Sequence, residues 1–162
     1  MSHRIGKEYL ALQKTLRDPA YRHVLELAPE SDQDLSRWRA RIAGPPDTPY
    51  AGHAFTLVIQ IPSTYPMEPP QVRFEPRAMP HCNVDFDSGR ICLNILEKAH
   101  WSPAWNVLHV VHAVWLLLSD PVPDSPLDVD LACLARAQDT AALDGLVRYY
   151  LAGGSRGISS ST

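Results

Sequence analysis

The sequence predicts an α+β fold, with helices packed on and around one antiparallel sheet, on three observations. Apolar residues recur at helical spacing near the start. Four short apolar or alternating runs follow with turn residues between them, and a second, broadly apolar helical pattern comes only after a long stretch without any period. In 162 residues with 45% hydrophobic content there is room for one core. The expected division is a single domain over 1–152 and a flexible tail over 153–162.

Ile5, Tyr9, Leu12 and Leu16 mark an amphipathic N-terminal helix that stops at Asp18-Pro19. Val24 to Leu27, Leu35 to Ile42, Ala54 to Ile61 and Val72 to Phe74 read as strands, each bounded by Pro, Gly or Asp, and short turns between successive strands predict a four-stranded meander. From Pro76 to Pro103 no long periodic segment exists, yet His81, Cys82, Asn83, Cys92, Asn94, His100 and Trp101 all fall there. A long irregular stretch inside a compact domain is usually functional. Val107, Val110, Val111, Val114, Leu117 and Leu118 then form the apolar stripe of a central helix ending at Asp120-Pro121. Beyond a second proline-rich loop, Leu131 to Ala137 and Leu143 to Leu151 predict two short C-terminal helices.

Composition excludes several function classes. A net charge of −3 with no cluster of Lys or Arg offers nothing for a nucleic-acid backbone, so no nucleic-acid partner is expected. No run approaches the roughly 18–20 apolar residues of a membrane span, and the first twenty residues lack an apolar leader, so the chain is expected to be soluble and cytosolic. With three cysteines in that setting, an odd thiol is either a core residue or a reagent. A zinc site is disfavoured: adjacent His81-Cys82 cannot easily face one metal, there is no C-x-x-C, and the gaps to Cys92 and His100 fit no finger pattern. No metal and no cofactor are expected. On residue types alone Cys92, between Ile91 and Leu93, reads as a small buried hydrophobe or as the nucleophile of a cysteine hydrolase, which would need a positioned histidine.

The residues around it bear on that choice. His81-Cys82-Asn83, Ser88-Gly89-Arg90-Ile91-Cys92-Leu93 and Trp101-Ser102-Pro103-Ala104 closely resemble the ubiquitin-conjugating enzyme family, as do the segments from Gly44 to Gly52, Thr64 to Pro70 and Asp120 to Leu127. The resemblance spans residues 4 to 152 and implies the UBC fold. It makes Cys92 the carrier of ubiquitin as a thioester, received from the activating enzyme and passed to a substrate. A thiolate is a good nucleophile and a good leaving group, so such an ester stays transferable without metal or cofactor. Asn83 matches an asparagine held to donate to the tetrahedral oxyanion, worth roughly 3–4 kcal/mol where such a donor is positioned; the plainer reading is a turn asparagine bonding its own backbone. His81 reads as a loop-holding histidine rather than a proton carrier.

Two departures from the family pattern stand out. Cys82 replaces a proline and is either packed or a redox partner. Ser125 occupies the gate position where many relatives carry aspartate, and a hydroxyl would prepare a lysine less well than a carboxylate, with Asp124 beside it as compensation. Asn94 stands where some relatives have Asp, and Leu127 lies beside the gate. Arg4, Met67, Pro103 and Ala104 match positions through which relatives meet activating enzymes and ring-type ligases. Taken singly they read as a solvated helix charge, a core plug and an ordinary turn; together they imply one surface. Trp101 reads as core.

Residues 105–108, 123–132 and 137–140 resemble the peroxisomal branch of the family, the peroxin-4 type. That implies a membrane-anchored docking peroxin, an import receptor as substrate, and a peripheral place on the cytosolic face of the peroxisomal membrane. The competing readings are a general cytosolic conjugating enzyme and a non-catalytic ubiquitin-binding variant, which would lack the nucleophile.

Overall fold

The computed structural model describes residues 3–154. Helix α1 covers His3–Thr15 and is followed by strands β1 (Val24–Ser31), β2 (Asp34–Ala43), β3 (Ala54–Gln60) and β4 (Gln71–Phe74). These form one sheet in the order β1-β2-β3-β4, with antiparallel pairing throughout. Period-2 alternation sets its two faces: Trp38, Ala40 and Ile42 of β2, Phe55, Leu57 and Ile59 of β3, and Val72 and Phe74 of β4 point inward, while Arg37, Arg39 and Arg41 point out.

Helix α2 (Val107–Ser119) supplies the other half of the core. Val107, Leu108, Val110, Val111, Val114, Leu117 and Leu118 are all buried, and they join the inward residues of the sheet in one cluster. Its start is capped by Asn106, whose side chain accepts from the His109 amide at 2.7 Å. Helices α3 (Val129–Arg136) and α4 (Thr140–Leu151) begin at Asp128 and Asp139, whose carboxylates accept from Leu131 and Ala142 amides. Each cap is an aspartate just before an apolar run, which is why these short helices start there.

The predicted order of elements holds, with two differences. β1 continues past Leu27 to Ser31 and carries Pro29 within it. The strand lies at the sheet edge and its pairing is irregular between Pro29 and Ser31, where a missing N–H does least harm. The 76–103 stretch is irregular apart from one short 3-10 turn at Asn94–Leu96, but it is not loosely placed, as its hydrogen bonds show. The predicted tail falls largely on residues 155–162, outside the described residues. Gly153, at φ 90, closes α4 by donating to the Tyr150 carbonyl.

Candidate active site

The candidate site begins with a tight hairpin. Val84 pairs with Ile91, and the turn between them is held by Asp85: its carboxylate accepts from the Asp87 amide and the Ser88 hydroxyl, and its carbonyl accepts from the Gly89 amide at 2.7 Å. Gly89 sits at φ 80, and a Cβ there would meet the Phe74 carbonyl oxygen at 2.0 Å. Only glycine fits both the turn and the closeness to β4. The hairpin therefore delivers Cys92 at a fixed place, and its amide donates to the Asn83 carbonyl at 2.8 Å. Cys92 is partly exposed, whereas Cys82 is buried and Cys133 exposed.

Asn83 is fully buried, and its amide group is the knot of the site. Nδ2 donates to the Val122 carbonyl at 2.7 Å and the Ser125 carbonyl at 3.1 Å; Oδ1 accepts from the Val122 amide at 2.8 Å. The Cys82 thiol points at the same oxygen at 3.4 Å. Both Nδ2 hydrogens are thus engaged in tying the 81–83 segment to the loop after α2. The neighbouring Cys82 carbonyl accepts from the Leu127 and Asp128 amides at 2.8 and 3.0 Å. Ser125 is exposed and Leu127 half-buried on this loop, and exposed Asn94 opens the turn that follows Cys92.

His81 is buried, with Nδ1 accepting from the Asn83 amide at 3.0 Å and Nε2 donating to the Leu117 carbonyl at 2.9 Å. That pattern requires the neutral ring, and burial depresses its pKa to about 4. Burial likewise pushes the Cys82 thiol up to about 11, so it stays protonated and is a poor nucleophile or exchange partner at neutral pH. Asp124 is exposed and lies 3.6 Å from Arg136 Nε. Among the described residues no group of three or more His, Cys, Asp or Glu is placed to hold a metal.

The other four predicted residues do meet at one end of the fold. Arg4 donates to the Pro103, Ala104 and Trp105 carbonyls, at 3.0, 3.4 and 3.0 Å, and pairs with Glu8 at 2.8 Å. Glu8 also accepts from the Tyr65 hydroxyl and, at 3.0 Å, from the Val107 amide. Trp101 is buried and donates from Nε1 to the Pro66 carbonyl at 2.7 Å. Through these bonds α1, the Thr64–Pro70 loop and the 101–105 loop form one surface. Met67 is 69% exposed on it, and so is not a core plug. Arg4 is a clamp on main-chain carbonyls rather than a solvated charge.

Sequence reasoning missed several participants, Asp128 among them, whose amide donates to the Cys82 carbonyl. Glu8 was discoverable as the i,i+4 partner of Arg4. Val122 acts through its main chain, which no residue type announces. Arg136 sits on α3, eleven residues past Ser125, with no local signal connecting it to the gate.

A partly exposed thiol whose main chain is fixed by a hydrogen bond can hold an acyl group and release it to an incoming nucleophile. A family model for ubiquitin-conjugating enzymes matches residues 4–150, and the chain belongs to that family. Its likeness within the family is to the peroxin-4 type. It is 50% identical over 155 residues to the ubiquitin-conjugating enzyme E2-21 kDa of Saccharomyces cerevisiae, covering 92% of this chain and 85% of that protein. Identity to Protein PEROXIN-4 of Arabidopsis thaliana is 39% over 148 residues, 91% of this chain and 90% of the other. Among solved structures, the H. polymorpha ubiquitin conjugating enzyme Pex4p, in complex with the soluble domain of Pex22p, matches with a TM-score of 0.85 and 36% identity, over 95% of this chain and 97% of that one.

Proposed function

We propose that this ubiquitin-conjugating enzyme uses Cys92 to take ubiquitin from the activating enzyme as a thioester and passes it to an import receptor at the peroxisome. The observation that carries the catalytic part is the bond from the Cys92 amide to the Asn83 carbonyl, since it ties the main chain of Cys92 to a residue whose side chain bonds the gate loop. The glycine carbonyl of ubiquitin bonds to Sγ, and an acceptor attacks that carbon as the Cys92 thiolate leaves. Asn83 and His81 act by holding the loops; Cys82, Leu127 and Asp128 fix the gate by main-chain bonds, with Ser125 exposed on it and Asn94 exposed on the turn after Cys92. The catalytic unit is residues 1–152.

Mixing the protein with activating enzyme, ATP and ubiquitin tests this. A reductant-sensitive adduct that disappears in Cys92→Ala is expected, and an adduct that survives that substitution would overturn the assignment.

The peroxisomal part is supported by the likeness to the peroxin-4 proteins and to a relative solved with Pex22p. By that reading the chain is held at the membrane surface by a docking peroxin. No helix among the described residues is long and apolar enough to cross a membrane. The surface of Arg4, Met67, Pro103 and Ala104 is where the activating enzyme and ring-type ligases dock, because it presents an exposed apolar residue between fixed loops. A gate with serine instead of aspartate suits a cysteine acceptor on the receptor, because a thiol needs no help in shedding an ammonium proton. Ser125→Asp is expected to raise discharge to lysine relative to cysteine; an unchanged ratio would remove the link between gate and acceptor.

A further inference from the structure

The gate loop carries one carboxylate next to Ser125, and it is already claimed. Arg136 reaches back from α3, its Nη2 donating to the Pro123 carbonyl at 2.7 Å while Nε lies 3.6 Å from the Asp124 carboxylate. The same loop is bound to Asn83 through Val122 and Ser125, and Asn83 is bound to Cys92. The guanidinium and the carboxylate thus stand together on the loop that borders the thiol. Both are open to solvent, with side-chain exposures of 47% and 91%, so the pair adds little to stability. Its effect is on the charge an incoming acceptor meets.

We propose that Arg136 is a positioning residue that sets acceptor choice: it holds Pro123 and offsets the charge of Asp124, the carboxylate beside Ser125, favouring a thiol acceptor over lysine. The proposal rests on the cysteine-acceptor reading above. A cysteine attacks as its thiolate, which a nearby guanidinium stabilises and a free carboxylate repels; a lysine arrives as an ammonium, which a free carboxylate attracts. In thiol transfer, the acceptor sulfur forms a bond to the ubiquitin glycine carbon and the bond from that carbon to Cys92 Sγ breaks. The proton lost by the acceptor thiol is matched by one taken up at Cys92, with no change of oxidation state. In lysine transfer the same bond breaks, and the ammonium gives one proton to Cys92 and one to the medium.

The test is single-turnover discharge of the preformed Cys92 thioester to N-acetyl-cysteine amide and to N-acetyl-lysine amide, over a range of pH. Arg136→Gln is expected to lower the cysteine-to-lysine rate ratio by about 3- to 10-fold, the size of half to one pK unit, and to move the cysteine limb of the pH profile upward. Arg136→Lys, which keeps the charge, should hold the ratio within about twofold. Asp124→Asn in the Arg136→Gln background should restore most of it. If Arg136→Gln slows both acceptors equally, the residue only braces the loop and the specificity role is overturned; a ratio shift that persists in the double variant overturns it too. Failure of the unaltered protein to discharge to cysteine at all would instead refute the cysteine-acceptor reading, whatever Arg136 does.

Discussion

The two ends of this fold are built from opposite materials. Around Asn83 the bonds are neutral, buried at His81 and partly buried toward the loop after α2: a carboxamide, a neutral imidazole and main-chain amides, with no ion pair among them. Around Glu8 they are ionic and partly open to water, with a carboxylate serving Arg4, Tyr65 and Val107 at once. Neutral buried bonds hold one geometry and respond little to salt, which suits a place where acyl transfer must be aligned. A partly exposed ionic hub tolerates exchange of partners, which suits the docking surface proposed above.

The sharpest way to break the contrast is Asn83→Ala. It strips the partners from the Val122 amide and carbonyl and the Ser125 carbonyl, and is expected to cost about 3 kcal/mol by urea unfolding and to slow thioester discharge more than tenfold. A variant as stable as the parent yet equally slow would mean that Asn83 acts on the reaction and not on the loop.

Acid comes next. His81 has a folded-state pKa of about 4, below the ordinary histidine value of 6.5. Between those limits the unfolded chain binds a proton that the fold refuses, so stability is full above about pH 6.5 and falls by about 1.4 kcal/mol per pH unit toward pH 4. His23, also buried and lowered to about 4, adds a slope of the same sign. In His81→Gln the His81 share of the slope should vanish from a pH series of unfolding midpoints.

Glu8→Ala leaves the Tyr65 hydroxyl and the Val107 amide unpaired, and about 1–2 kcal/mol should be lost. Added salt should narrow the gap between parent and variant, as it would not for Asn83→Ala. Met67→Ala should change stability by less than about 0.5 kcal/mol while reducing ligase-stimulated discharge about tenfold, read against unstimulated discharge as control. Loss of both rates together would place Met67 outside the docking surface.

The fold was readable wherever a period could be counted. The stripe Val107 to Leu118 and the alternation Trp38, Ala40, Ile42 each report a face, because burial repeats with the geometry of the element. β1 beyond Leu27 was not readable, since Pro29 signals a stop and only its position at an edge excuses it. At the site, Cys92 alone reads as a buried hydrophobe or a hydrolase nucleophile, and only the resemblance of the surrounding motifs marks it as a thioester carrier. What they did not convey was how the residues hold one another: the knot through Val122, the double acceptor at the Cys82 carbonyl and the reach of Arg136 are contacts between segments far apart in sequence, made largely by main-chain atoms that every residue carries.

That last point bears on the departure at position 82. The Cys82 carbonyl, not its side chain, receives the Leu127 and Asp128 amides, and a carbonyl comes with any amino acid, proline included. Heredity can therefore exchange the side chain there without dismantling the gate. What the thiol itself adds is one weak bond to the Asn83 oxygen.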